Sequence, residues 1–306
     1  MKRFLINILL FFAFVAVVDM VYGYACNYMV KHAHSGETAR AMGVFKQGRF
    51  DLMAMGSSRC VCHYDDQLLS DSLGINAINV GNKGNGIVLM YGRYHIIPKE
   101  NKPKVLLYDI EPSFDIIEYE NDDKNRRYLS GLKMFYNEPG IRTIFKDVDC
   151  SEPIKMYSQM YRYNSKTLVL LGDYMRKGRL NLSFYLPTHR RYVAAEVKEK
   201  PSRNNDLLKL KYFEKLIEET RADGVQLVVI ASPKYGASST DELQPIMELC
   251  SKHSVPFWDY YLDMHDTEWF CDNMHLNYEG SQEFTKTIFR RIANENLINK
   301  DENTKE

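Results

Sequence analysis

The feature of this sequence that most constrains its fold is a repeated alternation of short apolar runs with helical patterns. Five runs suit buried strands: Phe50 to Met55, Asn76 to Val80, Lys104 to Ile110, Val225 to Ala231 and Pro256 to Tyr260. Val225 to Ala231 is apolar apart from Gln226, as expected of a parallel strand covered on both faces. Helical patterns stand between the runs. Asp65 to Leu73 ends at Gly74, and a glycine-rich loop from Gly81 opens a helix reaching about His95. Asn205 to Ala222 carries Leu207, Leu208, Leu210, Phe213, Leu216 and Ile217 close to one face, and Gly224 ends it. Thr240 to His253 and about Tyr278 to Glu295 complete the series. This order predicts an α/β fold, a parallel sheet with helices on both faces in a three-layer, flavodoxin-like arrangement.

The amino terminus adds a second constraint. Lys2 and Arg3 precede Phe4 to Val18, an apolar run interrupted only by Asn7. Continued through Cys26, the helix is about 34 Å long at 1.5 Å per residue, enough to cross a bilayer. The leading positive pair should stay in the cytoplasm and place the rest of the chain outside it. The expectation is a single-pass anchor in the cytoplasmic (inner) membrane. A cleaved signal peptide is the competing reading, because Gly23 and Ala25 offer small residues where a signal peptidase reads. Both readings export the domain, the second as a secreted or periplasmic protein.

Four segments follow: an anchor or signal sequence at 1–30, a polar and partly helical stalk at 31–49, the α/β domain at 50–298 and a charged, frayed tail at 299–306. Within the domain the strand pattern disappears from about 116 to 203. Helical stretches near 123–136, 139–147, 152–162 and 166–176 lead to a basic loop holding His189, Arg190 and Arg191. The segment reads as a helical insertion over the sheet's active edge, with the basic loop suited to an anionic polymer or to solvent. The six cysteines, Cys26, Cys60, Cys62, Cys150, Cys250 and Cys271, have the spacing of neither a disulfide framework nor paired zinc knuckles. The formal net charge of zero gives no basic footprint for nucleic acid.

Chemistry is suggested at three places. After the first strand, Gly56 permits a sharp turn that lifts a hydroxyl, Ser57 or Ser58, above the strand's carboxyl end, where α/β sheets gather ligands. Before the last helix, Asp272 and His275 stand three apart, so a carboxylate can orient an imidazole whose other nitrogen faces a nucleophile. The loop from Gly81 to Gly86 lacks the pattern of a phosphate cradle, but an amide of Gly81 or Asn82 there suits a developing oxyanion. Asp109, Glu111 and Asp115, at the end of the third run, suit a metal, a substrate hydroxyl or a solvated loop.

Gly56-Ser57-Ser58, Gly81 and Asp272-Asn273-Met274-His275 resemble the first, second and fifth blocks of the SGNH, or GDSL-type, hydrolases. The resemblance spans about residues 50 to 295 without the inserted middle. It implies Ser58 as nucleophile, His275 as base, Asp272 as its partner and Gly81 as an oxyanion donor. The family's third block, Gly-x-Asn-Asp, is replaced by Tyr108-Asp109-Ile110-Glu111, and the missing asparagine's substitute is sought in Asn82, Asn85 or Arg59. Gly-Ser-Ser with an altered third block and an N-terminal anchor is similar to the DltD-like and alginate-acetylation branch. That implies an esterase or O-acyltransferase acting on an acylated glycan or other ester, with the membrane and a membrane acyltransferase as partners, no cofactor, no metal and no nucleic acid. The alternative is a catalytically impaired member that binds glycan or assists an acylation complex.

Overall fold

The computed structural model describes residues 1–46, 50–119, 125–178, 180–194 and 201–298. The fraying expected at 299–306 and the helix break expected at Gly48 fall outside the described residues. The chain divides into two compact units, Met1–Lys46 with Leu129–Leu182, and Gln47–Tyr128 with Ser183–Glu306.

Among its described residues the second unit holds seven strands: β1 Leu52–Gly56, β2 Ala77–Asn79, β3 Val105–Asp109, β4 Ile117–Tyr119, β5 Pro201–Asn205, β6 Gln226–Ala231 and β7 Phe257–Asp259. Five form one parallel sheet in the order β2-β1-β3-β6-β7. The five expected runs are those five strands, each trimmed where its ends leave the ladder. Register pairs Gly56 with Asp109 and Asp109 with Ile230, so the carboxyl ends of β1, β3 and β6 finish level. The order reverses beside β1, and such a switch point leaves a crevice beyond the strand ends.

Helices cover both faces. Leu52, Ala54, Val105, Leu107, Val228 and Ile230 share a core with Trp258, Phe270, Phe284 and Ile288, the last two from the helix Tyr278–Asn294. Met53, Met55, Leu106, Tyr108, Leu227 and Val229 alternate with them and are equally buried. On that second face Tyr108 meets Phe213, of the helix Leu207–Asp223, edge to face with ring centroids 5.5 Å apart. That helix begins later than its apolar pattern because the Asp206 carboxylate caps it, accepting from the Leu208 amide at 2.9 Å; Gly224 closes it with φ of 73°.

One correction concerns the inserted stretch. Sequence periodicity gives no strand between 116 and 203, yet β4 and β5 pair antiparallel across it, Ile117 opposite Asn205. Three residues are too few to show alternation, and β5 is Pro-Ser-Arg-Asn-Asn, with no apolar side to mark it.

The first unit is helical where described. Lys2–Lys31 is one helix of 30 residues, long and apolar enough to cross a membrane. Its carboxyl-terminal end packs Cys26 and Val30 against Tyr163 and Leu170. The rest comprises Gly36–Lys46, Ile141–Val148, Glu152–Lys155, Gln159–Tyr163, Thr167–Met175 and short turns. The helix expected over 152–162 is thus two helices, broken before Ser158, which caps the second through the Tyr161 amide at 3.3 Å.

Candidate active site

The site begins where β1 ends. Gly56 has φ of 151°, and a Cβ there would sit 2.6 Å from the Asp109 carbonyl oxygen on the neighbouring strand, so only glycine fits the turn. The chain then enters the helix Ser58–His63. Ser57 is fully buried, and its hydroxyl accepts from the Arg59 amide as the helix cap. Ser58 occupies the first helical position and is half-buried. Of the two serines, Ser58 lines the cleft and Ser57 is turned into the core.

Ser58 Oγ lies 2.7 Å from His275 Nε2. His275 Nδ1 faces both carboxylate oxygens of Asp272, at 3.0 and 2.9 Å. Asp272 Oδ1 also accepts from the amides of Met274 and His275, at 2.7 and 2.9 Å. This ties the Asp-x-x-His loop into a single turn. The base of the turn is closed by the Cys271 amide donating to the His275 carbonyl at 2.9 Å. Burial pushes the Asp272 carboxyl up, but the hydrogen bonds and charge of His275 and the two amides outweigh it and hold the carboxyl below its ordinary value.

A buried polar chain stands behind this group. Leu276 donates its amide to His63 Nε2 at 3.0 Å, so the His63 proton is on Nδ1, which donates to Ser232 Oγ at 2.9 Å. Ser232 Oγ donates in turn to Asp109 Oδ2 at 3.1 Å, and Tyr64 donates to Asp109 Oδ1 at 3.1 Å. Arg59 reaches the same hydroxyl through Nε at 3.2 Å and pairs with Glu111 at 3.1 Å. Desolvation, together with the nearby charges of Arg59 and His275, holds the His63 ring well below its usual value, so the ring is neutral. Burial pushes Asp109 up to about 6 against the pull of Arg59, Ser232 and Tyr64.

Three expectations change here. Arg59 is fully buried and serves the core, because consecutive helical residues point about 100° apart and Ser58 takes the direction of the cleft. The acidic trio is neither solvated nor gathered for a cation. Asp109, Glu111 and Asp115 are all buried, and Asp115 is consumed by the amides of Ile87 and Glu111 and the Tyr108 hydroxyl, at 2.8, 2.7 and 2.8 Å. The amides proposed for an oxyanion are already engaged: Gly81 donates to Asn79 Oδ1 at 3.0 Å and Asn82 to the Gly56 carbonyl at 2.9 Å. Asn85 turns its side-chain amide to the Lys83 carbonyl at 3.0 Å and to the Asn82 side chain.

The cleft above Ser58 has a volume of about 760 Å³. Asp272 and His275 line it with Cys62, Lys83, Cys271 and the loop from Leu186 to Arg191, and Gly81, Asn82, Asn85 and Arg59 do not. The loop is fastened along its length: Leu186 donates to the Val61 carbonyl at 2.9 Å, Thr188 accepts from the Tyr278 amide at 2.8 Å, and Val193 donates to Cys271 at 3.0 Å. His189, Arg190 and Arg191 therefore line the same cleft as Lys83 and the serine. Sequence reading missed His63, Ser232 and Lys83. A signal for Ser232 existed, since it follows the apolar run of β6 as Ser58 follows that of β1. All six cysteines are free thiols.

The fold and the site define a three-layer α/β protein with a serine, an imidazole and a carboxylate in line at the sheet's carboxyl edge. No protein-family model matches this sequence, and no curated protein sequence matches it. Among solved structures, one similar to it is a Bacteroides fragilis protein described as a candidate acylhydrolase, at 12% identity and a TM-score of 0.43, covering 86% of this chain and 98% of that one. An acetyl xylan esterase from Butyrivibrio proteoclasticus is 12% identical with a TM-score of 0.40, over 81% of this chain and 64% of that one. A GDSL-like lipase from Bacteroides thetaiotaomicron is 9% identical with a TM-score of 0.37, over 80% and 88%.

Proposed function

We propose that this chain is a serine-dependent ester hydrolase or O-acyltransferase of the SGNH type, held at the outer face of the cytoplasmic membrane by its first helix. In this reading it acts on acyl esters of an extracytoplasmic glycan or another cell-envelope polymer. The observation that carries the reading is the 2.7 Å contact between Ser58 Oγ and an imidazole whose far nitrogen faces a carboxylate. A serine hydroxyl is a weak nucleophile until a base takes its proton, and that base needs its tautomer fixed and its charged form stabilised.

His275 Nε2 takes the Ser58 proton as Oγ bonds to the ester carbonyl carbon. Asp272 stabilises the imidazolium, and the backbone amide of Ser58, in the first turn of its helix, is the donor this reading assigns to the developing oxyanion. Collapse breaks the bond to the alcohol, which leaves with the proton from His275. Water or a sugar hydroxyl then attacks the acyl-serine, gives its proton to His275 and releases Ser58. A fluorophosphonate probe tests this: wild type is labelled, and Ser58→Ala is not.

A second reading, an impaired relative that binds glycan or assists a membrane acylation complex, is favoured by two observations. The stretch Tyr108-Asp109-Ile110-Glu111 holds no asparagine where the resemblance calls for an oxyanion donor, and the Gly81 amide is already bonded to Asn79. In that case the wild-type protein stays unlabelled.

A further inference from the structure

Within the first unit, the lower part of the apolar helix does not stand alone. Counting from Phe4 at 1.5 Å per residue, Val18 is only about 21 Å along the helix, Asp19 about 22 Å and Gly23 about 28 Å. A hydrocarbon core is about 30 Å thick, so a helix that crosses it must use residues 19–23 as well. Those residues are already packed. The Asp19 carboxylate accepts from Ser158 Oγ and from the amides of Gln159 and Met160, at 3.0, 2.7 and 2.8 Å, and so caps the helix Gln159–Tyr163. Gly23 lets Gln159 approach so closely that a Cβ there would collide with its side chain, and Tyr22 bonds to Thr167 at the start of Thr167–Met175.

Both short helices then run in the same direction as the first. Tyr163 bonds to Asn27 at 2.8 Å, one turn beyond Gly23, and Tyr174 stacks edge-on against Tyr28 at 5.9 Å. The end of each helix nearest the apolar span is therefore its beginning. Large apolar side chains are left uncovered there: Tyr157 is 83% exposed, Leu168 82%, Met160 52% and, a turn earlier, Ile154 72%. Tyr24, on the first helix at the same level, is 76% exposed. Facing water, this edge would be an unexplained apolar patch; at the rim of a bilayer, tyrosines and aliphatic side chains are the residues expected.

We infer that the edge formed by Ile154, Tyr157, Met160 and Leu168 is a lipid-facing surface, embedded in the outer hydrocarbon and interfacial layer of the same bilayer that the first helix crosses. The partner is a phospholipid surface. The inference rests on the membrane reading of that helix proposed above. It also accounts for Asp19, whose charge lies near the edge of the hydrocarbon and is met by three hydrogen-bond donors.

The test uses tryptophan fluorescence of the full chain in phosphatidylcholine nanodiscs, with lipids brominated near the top of their acyl chains as quencher. Phe11→Trp, Tyr157→Trp, Leu168→Trp and Leu207→Trp are each compared with the unsubstituted protein. Leu207, 80% exposed in the second unit, is the water-facing control. The expected result is that the first three lose most of their added emission to brominated lipid and Leu207→Trp does not. If Phe11→Trp is quenched while Tyr157→Trp and Leu168→Trp stay as bright as Leu207→Trp, the lipid-facing edge is overturned and the anchor stands. If Phe11→Trp is also unquenched, the anchor itself fails. Emission at 157 and 168 shielded from both brominated lipid and aqueous iodide overturns the proposal in favour of a protein partner.

Discussion

His63 and Leu276 are joined by a hydrogen bond of 3.0 Å, from the amide of the residue that follows His275 to the Nε2 of a fully buried ring. The ring's other nitrogen is held by Ser232, so the peptide that carries the base is positioned by a chain of groups reaching Asp109 on the next strand.

His63 is therefore expected to matter for alignment. His63→Ala lowers kcat on a small acetate ester about 10- to 100-fold with little change in KM, because a small displacement of a catalytic base is costly. His63→Gln, whose carbonyl can still accept the Leu276 amide, recovers part of the loss. Steady-state kinetics with both variants check this, and an unaltered kcat in His63→Ala contradicts it.

Asp109 lies in the stretch that replaces the block carrying the family's oxyanion asparagine, yet placing an amide there is not expected to help. In Asp109→Asn an NH2 group replaces the oxygen that accepts the Ser232 hydroxyl, leaving a buried donor without its acceptor at a cost of about 1–3 kcal/mol. Activity should not rise and the melting temperature should fall. Higher activity with unchanged stability would show that this position faces the substrate after all.

Asp115 gives a dependence on pH. Burial pushes its carboxyl from 3.8 up to about 7. Its folded pKa lies above its unfolded one, so its contribution to stability is fully present below the unfolded pKa and is lost as pH rises through the folded one. Asp115→Asn removes that titration. Its melting temperature should change less than that of wild type between about pH 5 and 8. Parallel curves for the two proteins refute the assignment.

Lys83, Arg190 and Arg191 line the cleft beside Ser58. Arg190→Glu with Arg191→Glu should raise KM for an acetylated polyanion about tenfold, and added salt should raise the wild-type KM in the same direction. A KM insensitive to both the substitutions and salt would mean that these side chains do not meet the substrate.

How far the sequence could be read differs from element to element. The β6 strand was legible because both its faces are covered, which makes it a nearly unbroken apolar run. Asp272 and His275 were legible because their chemistry needs only a short loop. The roles of Asp109, Glu111 and Asp115 were not, because whether a carboxylate at a strand end is solvated or buried depends on distant partners. Arg59 meets Glu111 from 52 positions earlier, and Ile87 supplies an amide to Asp115 across 28. Arg59 itself was misassigned because its neighbour Ser58 faces the cleft, and adjacency in a helix places side chains on different sides. Periodicity was silent on β4 and β5, where the strands are short and largely polar.

The central claim is that the alcohol of Ser58 is activated by His275. Mass spectrometry of the full chain after fluorophosphonate treatment tests it most directly. The account requires a single phosphonyl adduct on Ser58 in the wild-type protein, greatly reduced in His275→Ala. A wild-type protein with no adduct, or with the adduct on Ser57, would contradict it.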